Sequence, residues 1–94
     1  MGLFDFLFGD SASNVDTALL NKLTPIIVDL LGVDEAEVTM TSDLGNNLGC
    51  DEIDLLEILE AIDKQLHYGV PRHEEKNIRT VGDLVRIVKK YNRL

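Results

Sequence analysis

The residues of this chain best suited to chemistry fall in one short run, Cys50, Asp51, Glu52, Ile53 and Asp54, which follows the turn residues Gly45, Asn46, Asn47 and Gly49. Cys50 is the single thiol, and a thiol becomes a nucleophile when a base or an electropositive setting converts it to thiolate. The two histidines, His67 and His73, stand well apart from it in sequence and have no companion Ser or Asp in a catalytic spacing. A small hydrolase built on Cys50 and His67 would lack both an orienting group and an oxyanion site, so both histidines read as surface residues. No Cys or His spacing matches a zinc site, and no metal is expected. Ser11, Ser13 and Ser42 offer hydroxyls, but none lies at a helix start in a setting comparable to that of position 52. The residues point away from catalysis and towards recognition.

Helices must position this run. From Val15 to Leu31 the apolar residues Leu19, Leu23, Ile26, Ile27 and Leu30 recur at spacings of three and four, one stripe of an amphipathic helix. Asn14 is the expected N-cap and Gly32 the expected stop. Pro25 lies inside the pattern, where it removes a backbone donor, and predicts a kink or break near Thr24. Gly32 to Cys50 reads as a long connection anchored by Val38, Met40, Leu44 and Leu48. The second helix starts at Asp51, with Asp54 placed to complete a capping-box-like pair. Ile53, Leu56, Leu59, Ile62 and Leu66 are its expected buried stripe, with acids on the other faces. Gly69 and Pro71 end the run, residues 72–79 suit a loop or short helical turn, and Thr80 with Asp83 caps a last helix that buries Val81, Leu84, Val85, Val88 and Tyr91.

Ninety-four residues suit one domain, with no Trp, two Tyr and three Phe, all three Phe in the first eight positions. The core must therefore be aliphatic. Residues 1–63 hold fourteen Asp and Glu against Lys22 alone, whereas residues 64–94 hold eight Lys and Arg against three acids. Phosphates would be repelled by the first part, which disfavours nucleic acid and favours basic surfaces on partner proteins. The opening Leu3 to Phe8 is apolar, too short to span a bilayer, free of a basic flank and interrupted by Asp5, so it reads neither as a signal peptide nor as a membrane span. It is set apart as an extension, residues 1–13, before a domain of residues 14–94. Packing against that domain, a short anchor for a partner helix, and membrane contact are its open readings. A lone cysteine fits a reducing, cytoplasmic setting, and a monomer is expected.

The motifs are more specific than the element order. Leu31, Gly32 and Val33, then Val38 and Thr39, Leu44, the run Leu48 to Asp54, and finally Val70, Pro71, Ile78, Thr80 and Val81 resemble the acyl carrier protein family in order and spacing from about Leu19 to Tyr91. They look like that family's L-G-V loop opening, its D-L-G-x-D-S-L-D signature, its I-P step and its I-x-T-V entry into the last helix. The resemblance implies an all-α, acyl-carrier-protein-like four-helix bundle with three long helices and a short third one. Two residues depart from the signature: Asn47 replaces its first Asp, and Glu52 replaces its Ser.

In the family, that serine holds the 4'-phosphopantetheine arm through a phosphodiester. With Glu52 in its place no cofactor is expected on this chain, and phosphopantetheine would require Ser at position 52. The resemblance further implies a non-enzymatic binding module that docks on proteins of fatty-acid, lipid or secondary metabolism through Asp51, Glu52, Asp54, Leu56, Glu57 and Glu60. Glu60 departs from the apolar residue common there. The alternative is a genuine acyl or peptidyl carrier protein whose attachment Ser has been mutated to Glu. Glu52 itself either stabilises the start of its helix or imitates the charge of the phosphodiester, and the sequence leaves both open.

Overall fold

The computed structural model describes residues 11–94, with side chains from residue 15 onward. The apolar run Leu3 to Phe8 and the side chains of Ser11, Ser13 and Asn14 lie outside the described residues. Three α-helices, α1 (Ser11–Leu31), α2 (Glu52–Leu66) and α3 (Val81–Asn92), alternate with two 3-10 helices, Glu35–Glu37 and Arg72–Asn77. Among the described residues there is no strand, only an isolated bridge between Asp43 and Thr80. The bundle is the expected one, with Arg72–Asn77 as the short helix before the last.

The core is aliphatic and comes from one stripe per helix. Leu19, Leu23, Ile26 and Ile27 of α1 meet Leu55, Ile58, Leu59 and Ile62 of α2 and Val81, Leu84, Val85 and Val88 of α3. Val38, Leu44, Leu48 and Ile78 close the ends from the connecting segments. Each such side chain contributes about 1.5–3 kcal/mol when it leaves water. Lys89 Nζ meets Asp16 Oδ1 at 2.8 Å and ties α3 to α1 at the rim.

Several expectations need correction. Helix α1 already contains Asn14, which is therefore not its N-cap, and it runs through Pro25 without a break. Pro25 and Asn21 are both exposed, so the Asn21 carbonyl that loses its donor faces water. One residue earlier, the Thr24 hydroxyl donates to the Leu20 carbonyl at 2.7 Å. Leu30 is exposed rather than buried. In α2 the buried stripe is Leu55, Ile58, Leu59 and Ile62, while Ile53 is 66% exposed and Leu56 and Leu66 are half-buried. The helix ends at Leu66 because His67, not Gly69, takes the left-handed conformation (φ 61°), its amide donating to the Asp63 carbonyl at 2.9 Å. Tyr91 lies on the surface with its hydroxyl turned inward.

That hydroxyl serves Glu74, the one buried carboxylate among the described residues, which is 7% exposed. Glu74 accepts from the Tyr91 hydroxyl and, at 2.8 Å, from Asn77 Nδ2, with Lys90 Nζ at 3.8 Å. The 3-10 helix is thereby pinned to the end of α3. The Tyr91 bond above all, then the Asn77 bond, hold the Glu74 carboxyl below its ordinary 4.5 against the opposing effect of burial, with the Lys90 and His73 charges helping. A carboxyl lowered in the folded state resists a proton that the unfolded chain accepts. Its contribution is therefore present above pH 4.5 and disappears as the pH falls through the folded value. Thermal unfolding followed by circular dichroism should show a midpoint that drops with pH below 4.5. Glu74→Gln should start lower at neutral pH and drop less steeply.

Candidate functional site

The start of α2 is built by the loop that precedes it. The Asp43 amide donates to Asn47 Oδ1 at 2.7 Å, and the Asn46 amide donates to Asp43 Oδ1 at 2.9 Å, so two side chains knit the turn. Gly49 occupies a positive-φ position (φ 70°), which suits a residue without Cβ. The Cys50 amide then donates to the Leu44 carbonyl at 2.8 Å and brings the chain to the helix. Asp51 and Asp54 form a reciprocal capping box: the Asp54 amide donates to Asp51 Oδ1 at 2.8 Å, and the Asp51 amide donates to Asp54 Oδ2 at 3.2 Å. Glu52 is consequently the first residue of α2, exposed, where the helix dipole favours an anion by about 0.3–1 kcal/mol.

The residues singled out for docking divide by position. Asp51, Glu52, Glu57 and Glu60 are exposed, Leu56 is half-buried, and Asp54 is half-buried in the capping box. Ile53, Leu56, Glu57 and Glu60 follow the i, i+3, i+4, i+7 pattern of a single helix face, opposite the face that enters the core. Ile53 thus belongs with these residues. Sequence reasoning missed it by placing it in the core. A shallow groove of about 240 Å³ runs beside this face, between Leu56, Leu59, Glu60 and Asp63 of α2 and Val70 and Arg72 of the following segment. A second groove of about 340 Å³ opens at the start of α2. Leu44, Leu55 and Ile78 are its buried apolar lining, and Glu52, Lys76 and Arg79 are among its charged residues. Arg79 is engaged there, with Nε at 2.8 Å from Asp43 Oδ2.

Cys50 is poorly placed for nucleophilic work. Burial first, then the negative charges of Asp54 and Asp51, push its thiol up to about 11. His67 caps the far end of α2, about 22 Å along the helix axis at 1.5 Å per residue. His73 is exposed in the short helix. No group of three or more His, Cys, Asp or Glu side chains among the described residues is arranged to hold a metal ion.

Comparison with known proteins agrees with this architecture. A family model described as "Phosphopantetheine attachment site" matches residues 21–88. Acyl carrier proteins of Clostridium perfringens strains SM101 and 13 are 34% identical over 73 residues, 78% of this chain and 96% of each relative. The chain belongs to the acyl carrier protein family. No helix among the described residues is long and apolar enough to cross a membrane.

The elevated Cys50 pKa is open to direct measurement. Moving a thiol from 9.0 to about 11 lowers its thiolate fraction near neutral pH about a hundredfold, so alkylation by iodoacetamide should be slower than that of a free cysteine by about that factor. Unfolding the chain in urea should restore the ordinary rate. Asp54→Asn should accelerate labelling in the folded chain.

Proposed function

We propose that this chain is an acyl-carrier-like binding module that holds no phosphopantetheine and docks on partner proteins through the outer face of α2. The observation that carries this reading is Glu52 at the first position of α2, exposed on a carrier scaffold. Attachment of the arm needs a hydroxyl that attacks the diphosphate of coenzyme A, and a carboxylate does not supply it. The hydroxyls of the loop and of the α3 cap stand away from that position. Ser42 is buried and donates to the Glu37 carbonyl at 2.6 Å, and Thr80 Oγ1 accepts from the Asp83 amide at 3.1 Å. Thr39 and Thr41 lie back in the loop, with their hydroxyls 3.3 Å apart. None of these stands at the head of α2, so the residues present do not fit the prosthetic group.

Recognition, not catalysis, is then the mechanism. Ile53 offers an exposed apolar anchor, with Asp51, Glu52, Glu57 and Glu60 as acids around it for lysines and arginines on a partner. Such contacts set encounter rate and orientation more than affinity, and salt screens them over about 8 Å at physiological ionic strength. Partners belong to fatty-acid, lipid or secondary metabolism on this reading, and the setting is cytoplasmic.

A broad-specificity phosphopantetheinyl transferase and coenzyme A, with intact mass as the readout, test the proposal. The chain should keep its mass. Glu52→Ser should gain one phosphopantetheine, because the capping box and the loop that present position 52 are intact, while its circular dichroism stays helical. The substitution removes only the dipole interaction, about 0.3–1 kcal/mol. A stoichiometric adduct on the unsubstituted chain would overturn the proposal. A folded Ser form that no transferase modifies would instead remove the alternative of a carrier that differs from a working one at position 52 alone.

A further inference from the structure

We infer that the apolar segment Leu3 to Phe8 docks on its own domain, in the groove formed by the first half of α1, Tyr68 and Leu94. The groove measures about 270 Å³ and is lined by Val15, Ala18, Leu19, Lys22, Tyr68 and Leu94. The four α1 residues follow the i, i+3, i+4, i+7 pattern and so make one continuous strip of that helix. Val15 and Leu94 are 40% and 44% exposed, two of the five large hydrophobic side chains that the described residues leave on the surface. Lys22 is the one charged residue of the lining, its Nζ 3.4 Å from the Tyr68 hydroxyl and 5.8 Å from the centre of the Tyr68 ring.

The segment matches this groove in length and chemistry. Leu3, Phe4, Phe6, Leu7 and Phe8 include every Phe of the chain. They precede Ser11, the first described residue of α1, by only Gly9 and Asp10. Gly9 tolerates the backbone angles that a reversal needs. Along the helix, Ser11 and Lys22 are about 16 Å apart at 1.5 Å per residue. With Gly9 and Asp10 taken up by the reversal, the five steps from Phe8 back to Leu3 cover about 16 Å in an extended chain as well. A segment folded back along α1 therefore spans the strip, and its only charge, Asp5, is opposite in sign to Lys22, the only Lys or Arg among residues 1–63. Side chains alternate along an extended segment, so Phe4, Phe6 and Phe8 share one face, the one turned to Val15 and Ala18.

Other occupants fit less well. A membrane surface offers apolar depth, but residues 1–10 contain no Lys or Arg to meet anionic headgroups, and the acids that dominate the first two-thirds of the chain are repelled by them. A second copy brings the same acidic surface against itself. The tether, by contrast, holds the segment beside its own groove at an effective concentration of about millimolar.

Because all Phe residues lie in the segment, nuclear Overhauser effects from Phe rings report on it alone. The full chain is prepared with protonated Phe and with methyl-protonated Ala, Leu and Val in a deuterated background. Cross-peaks from Phe rings to the methyls of Val15, Ala18 and Leu94 are expected, unchanged on dilution. Ala18→Glu should abolish them while amide protection in α2 and α3 persists. Lys22→Glu should weaken them, and Asp5→Lys combined with Lys22→Glu should restore them, so the test survives if one variant folds badly. Phe rings with free-peptide shifts and no such cross-peaks would overturn the inference. So would cross-peaks lost on dilution, which assign the groove to a second copy, or cross-peaks absent in buffer together with Phe shifts that move only on adding phosphatidylserine vesicles.

Discussion

The structure depends on how the first turn of α3 spends its unpaired amides. Every helix begins with backbone donors that have no partner inside it. In α3 the Val81 amide donates to the Ser42 carbonyl at 3.0 Å and the Gly82 amide to the Met40 carbonyl at 2.8 Å, while the Thr80 hydroxyl takes the Asp83 amide. The long loop after α1 is thereby hung on the head of α3. The Leu44 amide adds a return bond to the Arg79 carbonyl at 2.9 Å, and Arg79 reaches Asp43. The approach is so close that a Cβ on Gly82 would lie 2.7 Å from the Met40 carbonyl oxygen. Glycine lowers helix propensity by about 1 kcal/mol, and here the loop's attachment requires it.

Everything at the candidate site follows from that attachment. The same loop supplies the Leu44 carbonyl that receives the Cys50 amide, and Cys50 leads directly into the Asp51 cap. The position of Glu52 is thus fixed from two sides, by a loop bound to α3 and by a capping box internal to α2. Neither involves the Glu52 side chain. A carboxylate and a hydroxyl would be presented alike by this scaffold. Fold and chemistry at position 52 are consequently separable, and family membership by itself does not decide what the position does.

Legibility in the sequence followed the range of the interactions. The Asp51–Asp54 and Thr80–Asp83 boxes are local, three residues apart, and both were read correctly. Gly32 takes the left-handed angle expected of a helix stop. The α2 stripe went wrong because apolar residues at 53, 55, 56, 58, 59, 62 and 66 satisfy two helical phases, and only contact with α1 and α3 chooses between them. Choosing the phase that began at Ile53 left out Leu55 and Ile58. The cap at Asp51 held a usable signal, since a residue in the first turn beside two acids has little chance of entering a core. Pro25 misled for a different reason: its cost depends on whether the orphaned carbonyl faces water, which is a tertiary property. His67 as the left-handed cap was missed because Gly is the residue type that usually takes that conformation, and the buried Glu74 was invisible because Tyr91 and Lys90 reach it only once α3 is in place.

The two readings of Glu52 are physically compatible. A carboxylate at the first residue of α2 gains from the helix dipole whether or not any partner exists, so its effect on stability does not separate the readings. A phosphodiester at the same place would also present one negative charge to a partner's lysines and arginines. On the proposed reading Glu52 therefore keeps the charge of a loaded carrier without its arm, next to Ile53, whose exposure gives a partner something apolar to grip. What differs is permanence: a carrier's arm is added and its cargo exchanged, whereas a side-chain charge is always present. A module of this kind would engage its partners independently of any acyl state, and its regulation would have to come from abundance or from the surface it docks on.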